Sequence, residues 1–98
     1  MSLSDQQKRH LRGLAHHLKP VVWIGQHGIS ENVVAELELA LDTHELVKIK
    51  IADERDARKE LTEKICKDTK AELVQMIGQM SVVFRRNPKK PKIALPSK

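Results

Sequence analysis

Leu46-Val47-Lys48-Ile49-Lys50-Ile51-Ala52 alternates strictly between apolar and polar positions. Val47, Ile49 and Ile51 point one way and Lys48 and Lys50 the other, as in a strand with one buried face and one wet, basic face. Upstream the period is helical. Leu11, Leu14, Ala15 and Leu18 form an apolar stripe, and Ser4-Asp5-Gln6-Gln7 reads as a capping box at its start. That helix is predicted to run to about Lys19, because Pro20 disfavours helical geometry at the residue before it. Val21 to Ile24 is too short for a helix and rich in β-branched residues, so a strand is predicted. A second helix follows from about Glu31 to Thr43, N-capped by Ser30, with Val33, Leu37, Ala40, Leu41 and His44 on one face. Asp53 is predicted to cap a third helix ending near Thr69, with Ala57, Leu61 and Ile65 toward the core and Cys66 off that stripe. Leu73–Ile77 and Ser81–Arg85 flank Gly78-Gln79 and read as a hairpin. The order is α-β-α-β-α-β-β. The strand–helix–strand portion predicts two parallel strands with a right-handed crossover.

Between the first strand and the second helix lies Gly25-Gln26-His27-Gly28. Two glycines three apart permit positive φ and let another backbone come close, since no Cβ intervenes. Loop amides beside a helix N-terminus favour an anion, and a nucleic-acid phosphate is the expected one. Structurally, the same pattern also serves as a tight turn. KH domains hold RNA with a G-x-x-G loop, but theirs joins two helices, whereas this one joins a strand to a helix.

Charge strengthens the phosphate reading. The chain has 98 residues and a net charge of +5. Residues 70–98 carry seven bases against one acid, Glu72. In the first helix Lys8, Arg12, His16 and Lys19 share a stripe that contains no acid. A basic stripe is usually a solvated face; here its end lies near the strand leading into the glycine loop. The outer face of the second helix carries Glu31, Glu36, Glu38 and Asp42, and is expected to point away from nucleic acid. Trp23 and Phe84 are the only aromatics, which argues against rows of stacked bases. If Val22 and Ile24 face the core, Trp23 is exposed near the loop and able to stack on a base. The alternative is that it packs beneath the first helix.

Catalytic and metal patterns do not emerge. There is no phosphate-binding P-loop, no nucleophile elbow, no H-E-x-x-H and no cysteine pair. His16 and His17 point about 100° apart on a helix, and His10 lies two turns from His17, so no metal or cofactor is expected. A single cysteine excludes a disulfide within the chain, and no apolar run approaches the ~20 residues of a membrane span. A cytoplasmic monomer with no membrane contact is expected. From Asn87 the composition turns to proline and lysine, so residues 1–86 are assigned to one domain and 87–98 to a basic, extended tail.

Several motifs then fall in a familiar order. They are Leu-Lys-Pro-Val-Val at 18–22, Ile-Gly-x-x-Gly at 24–28, Ser-Glu-Asn-Val at 30–33, His-Glu-Leu-Val-Lys-Ile-Lys-Ile at 44–51 and Glu-Leu-Val-Gln-Met-Ile-Gly at 72–78. Over residues 3–86, extending into Lys92–Pro96, the chain resembles the CRM domain, most of all its small stand-alone bacterial members. The resemblance implies a single α/β domain with a four-stranded mixed sheet, similar to the C-terminal domain of translation initiation factor three. It also implies RNA binding without catalysis, with large-subunit ribosomal RNA and its pre-ribosomal particle as partners. The family's RNA loop falls on Gly25, Gln26, His27 and Gly28. Gln26 brings no charge where relatives often carry a basic or small residue, and Lys70 stands where many have glycine. Lys8, Arg12, Lys19, Lys48, Lys50, Arg85 and Arg86 are the candidate phosphate contacts. Two other roles fit the same residues: a chaperone or splicing-type cofactor for other structured RNAs, and a protein adaptor using the acidic second helix.

Overall fold

The alternating stretch forms the strand around which the molecule is layered. A computed structural model describes residues 3–25 and 28–96. Its elements are α1 (Asp5–Ala15), β1 (Val22–Ile24), α2 (Glu31–His44), β2 (Leu46–Ile51), α3 (Arg55–Thr69), β3 (Glu72–Ile77) and β4 (Met80–Phe84). The four strands lie in the order β1-β2-β4-β3. β1 runs parallel to β2, and β4 runs antiparallel to both β2 and β3. The expected α/β order, parallel pair and hairpin are all present.

Helices cover both faces of the sheet. Val22, Ile24, Val47, Ile49, Ile51 and Val83 meet Leu37 and Leu41 of α2 and Ile65 of α3. On the other face Leu46, Val74, Val82 and Phe84 meet Leu11 and Ala15 of α1. Leu11, Leu37 and Leu41 are fully buried, each worth about 1.5–3 kcal/mol relative to exposure. Ser81 lies on the α2–α3 face, and there its hydroxyl and that of Thr62 share a buried hydrogen bond of 2.7 Å.

The helix starts follow local chemistry. The Ser4 hydroxyl accepts from the Gln7 N–H while the Gln7 side chain accepts from the Ser4 N–H, completing the capping box. The Ser30 hydroxyl accepts from the Val33 N–H at 3.2 Å. Three expectations need correction. α1 stops at Ala15 rather than near Lys19, and tight-turn bonds from His17 to Leu14 and from Leu18 to Ala15 carry the chain out of it. Asp53 is not the N-cap of α3; Glu54 holds that position, and the Asp53 carboxylate accepts from the Glu54 N–H. Cys66 packs against the α2–α3 core after all, and burial pushes its thiol up to about 11, helped by Glu72 and Glu63.

Lys70 closes α3 in the left-handed conformation, φ 60° and ψ 29°, where Cβ crowds the backbone. Lys70→Gly is expected to raise stability by about 0.5–1 kcal/mol, measured by denaturant unfolding. The segment after β4 also departs from a free tail. Ile93 and Leu95 pack against the α1 core, and the Gln7 side-chain amide donates to the Pro96 carbonyl at 2.9 Å.

Candidate nucleic-acid interface

The glycine loop is anchored at both feet by apolar side chains. Ile24 before it is buried, and Ile29 after it packs half-buried on the same core. At its base the Ala52 N–H donates to the Ile24 carbonyl at 2.9 Å. The Gly28 N–H donates to the Gly25 carbonyl at 3.1 Å, closing a four-residue turn. Gly28 has φ 76°, which favours glycine; Gly25 does not need positive φ. A Cβ built on either glycine would meet no atom within 4 Å, so the space beside both is open to a ligand backbone. Gln26 and His27, the expected hydrogen-bonding residues of the loop, lie outside the described residues.

Strand register decides what stands beside the loop. Val22 and Ile24 are buried, so Trp23 between them points to the α1 side and is 65 % exposed. The reading in which Trp23 packs beneath α1 is therefore set aside. Trp23 pairs with Lys50, whose ammonium lies 4.9 Å from the centre of the indole ring. Lys48 lies on the same face of β2, two residues before Lys50, roughly 6.6 Å away along the strand. Both lysines are half-buried.

Helix geometry places Lys8 and Arg12 on a particular flank of α1. At about 100° per residue, Gln7 and Leu14 fall on one side of buried Leu11, and Lys8 and Arg12 on the other. Gln7 binds the Pro96 carbonyl, and Leu14 lines a groove with Ile93, so the chain after β4 occupies the first side. Lys8 and Arg12 occupy the other flank of the helix. Lys19 is exposed in the α1–β1 connection, not on the helix, and lines the same groove as Lys48, Val21 and His17.

Arg85 and Arg86 stand apart from this cluster. Arg85, expected among the phosphate contacts, is corrected to a structural role. Its guanidinium donates to Glu38 Oε2 at 2.7 Å, to Asp42 Oδ1 at 2.9 Å and to the Thr69 carbonyl at 2.8 Å. With only 19 % of that side chain exposed, it ties α2 to the end of α3. It also occupies two of the acids on the α2 surface. Arg86 lies 5.9 Å from the Phe84 ring and lines a hollow with Pro91 and Lys92, at the opposite end of the strands from the loop.

Glu45 carries a role that the sequence did not reveal. It is fully buried and has φ 63°. Its carboxylate accepts from the backbone N–H groups of Asn87, Lys92 and Ile93, and its carbonyl accepts from the Arg85 N–H. Burial alone would raise its pKa, but the three amides and nearby Arg86 hold it below the usual carboxylate value. This clasp bends the lysine-rich segment back across the end of the sheet.

The chain is similar to known proteins. Residues 3–85 match the family model described as the CRS1/YhbY (CRM) domain. The chain is 47 % identical over 90 residues to a probable RNA-binding protein of Pseudomonas aeruginosa, covering 91 % of this chain and 86 % of that protein. It is 46 % identical over 98 residues to an RNA-binding protein of Haemophilus influenzae, covering 99 % and 98 % of the two chains. A solution structure of a candidate RNA-binding protein from Staphylococcus aureus superposes with a TM-score of 0.84 at 40 % identity. That match covers 97 % of this chain and 100 % of the other.

Proposed function

Because this chain belongs to the CRS1/YhbY (CRM) domain family, an RNA-binding rather than an enzyme family, we propose that it holds structured ribosomal RNA in assembly of the large ribosomal subunit. The observation that carries this reading is a convergence. Lys48 and Lys50 lie on the face of the sheet that carries α1 with its Lys8 and Arg12, and the glycine turn follows β1 directly beside Trp23, the partner of Lys50. The acidic surface of α2 belongs to the layer on the opposite face.

The turn supplies close approach, because the ligand backbone meets no side chain at Gly25 or Gly28. The first amides of α2, which opens just after the turn, present N–H donors to phosphate oxygens. Lys8, Arg12, Lys48 and Lys50 neutralise neighbouring phosphates, with Lys19 at the margin. Such contacts set position and affinity more than sequence, so the shape of the folded RNA selects the site.

Contact with about four to six phosphates gives log K against log salt a slope of roughly −3 to −5. Titrations at several salt concentrations check this, and a near-flat response would remove the electrostatic account. The biological assignment is tested by crosslinking in cells, with contacts mapped to nucleotides. Crosslinks concentrated in large-subunit ribosomal RNA or its precursor are expected. Crosslinks spread over unrelated structured RNAs would favour the chaperone role instead. Nuclease treatment is expected to release the protein from its particle, whereas an adaptor held by a protein partner would stay.

A further inference from the structure

One strip of the sheet has no helix over it. Register makes Trp23, Lys50, Met80 and Ile77 consecutive cross-strand neighbours, a row running from β1 to β3 beside the glycine loop. Trp23 is 65 % exposed and Ile77 57 %, while α1 covers the far end of the same face. A lone exposed leucine needs no explanation, but an exposed indole next to a cation at a candidate RNA surface does.

The chemistry of the row selects its occupant. The Lys50 ammonium lies over the indole, and Trp23 is 65 % exposed, so ring surface remains for a flat, apolar partner. Lys50 and Lys48 supply positive charge on the same face, complementary to a phosphate linked to that partner. A nucleobase joined to its phosphate combines these two properties. Bases in a duplex are already stacked on each other and offer no free face, so the partner must be unpaired. There is one accessible tryptophan and no tyrosine, so the strip can stack one base, not a row of them.

We propose that this strip binds a single unpaired nucleobase of the RNA, stacked on the exposed ring surface of Trp23 with its phosphate at Lys50. The proposal rests on the reading of this face as an RNA surface and adds the feature that tells one RNA from another. A bulged or looped-out nucleotide beside the segment on the glycine turn becomes the mark of a preferred site.

Trp23 is the sole tryptophan, so the protein's intrinsic fluorescence reports on this position alone. The test uses two RNA hairpins with one stem sequence, the first fully paired and the second carrying a single bulged adenosine. The bulged hairpin is expected to bind about five- to tenfold more tightly, at the lower end of base–aromatic stacking. It should also quench the fluorescence more strongly. W23A should bind the two hairpins equally, while W23F, which keeps a ring, should retain a preference. Equal affinity and equal quenching for both hairpins would overturn the base site, as would a preference that survives in W23A. If the hairpins bind equally yet G28D weakens both, the RNA face stands and the base site falls. If neither hairpin binds, both readings fall together.

Discussion

Gly28→Asp is expected to keep its fold and to lose RNA affinity by about 30- to 100-fold, equivalent to roughly 2–3 kcal/mol of charged hydrogen bonding and repulsion. Two features separate the site from the fold here. A Cβ at position 28 touches nothing, so no core atom has to move. The φ of 76° costs a side chain about 1 kcal/mol, and aspartate tolerates positive φ better than most residues. The new carboxylate, however, stands in the space a phosphate would enter. Gly28→Asn has nearly the same shape and backbone tolerance without the charge. A smaller loss for Asn than for Asp assigns part of the effect to repulsion, and equal losses assign it to bulk. Unchanged affinity in a folded Asp variant would remove the turn from the mechanism. Circular dichroism with fluorescence-anisotropy titration distinguishes these outcomes.

Glu45→Ala is expected to destabilise the protein by about 2–4 kcal/mol, because three backbone amides lose a charged acceptor. Alanine retains the Cβ at the same φ, so the loss reports the carboxylate rather than backbone strain. Hydrogen exchange should quicken at Lys92 and Ile93 before it quickens in the sheet, since the clasp opens without unfolding β2. The same group predicts an acid response. Its folded pKa lies below the ordinary value of 4.5, so the carboxylate form is the one the fold favours. The stability it contributes is complete above that value and is lost as pH falls below it. Unfolding curves at descending pH should therefore converge for the wild type and Glu45→Ala. A constant gap between them down to pH 2 would contradict the clasp.

The sequence-based expectations succeeded where the cause is local. The period of two at Val47, Ile49 and Ile51 fixed a strand and its faces, and with them the outward direction of Lys48 and Lys50. Ser4 and Ser30 marked helix starts because an N-cap acts over only three residues. The end of α1 was harder. Leu18 continues the helical spacing, but it is 38 % exposed and packs little, and the chain has already left the helix at His16. Arg85 looked like its neighbour Arg86, because charge alone does not disclose a partner. Its acids, Glu38 and Asp42, lie 47 and 43 residues away. Glu45 was invisible for the same reason: its amide donors lie 42 to 48 residues downstream, and nothing in the sequence marks a glutamate that takes positive φ. Trp23 could be assigned to the surface only once register had set its neighbours. Caps and strand faces are thus set by short-range pattern, whereas the pairing of Trp23 with Lys50 and the partners of Arg85 and Glu45 are long-range.

The junction between α1 and the last described residues has a practical consequence. Leu3 donates its N–H to Glu72 at the start of β3, and Gln7 reaches the Pro96 carbonyl. Leu3 and Pro96 thus lie close to α1, on the side of β3, the edge strand at the other end of the sheet from β1. Copies strung in tandem, or a reporter fused on either side, would depart from that edge, away from Gly28 and Trp23.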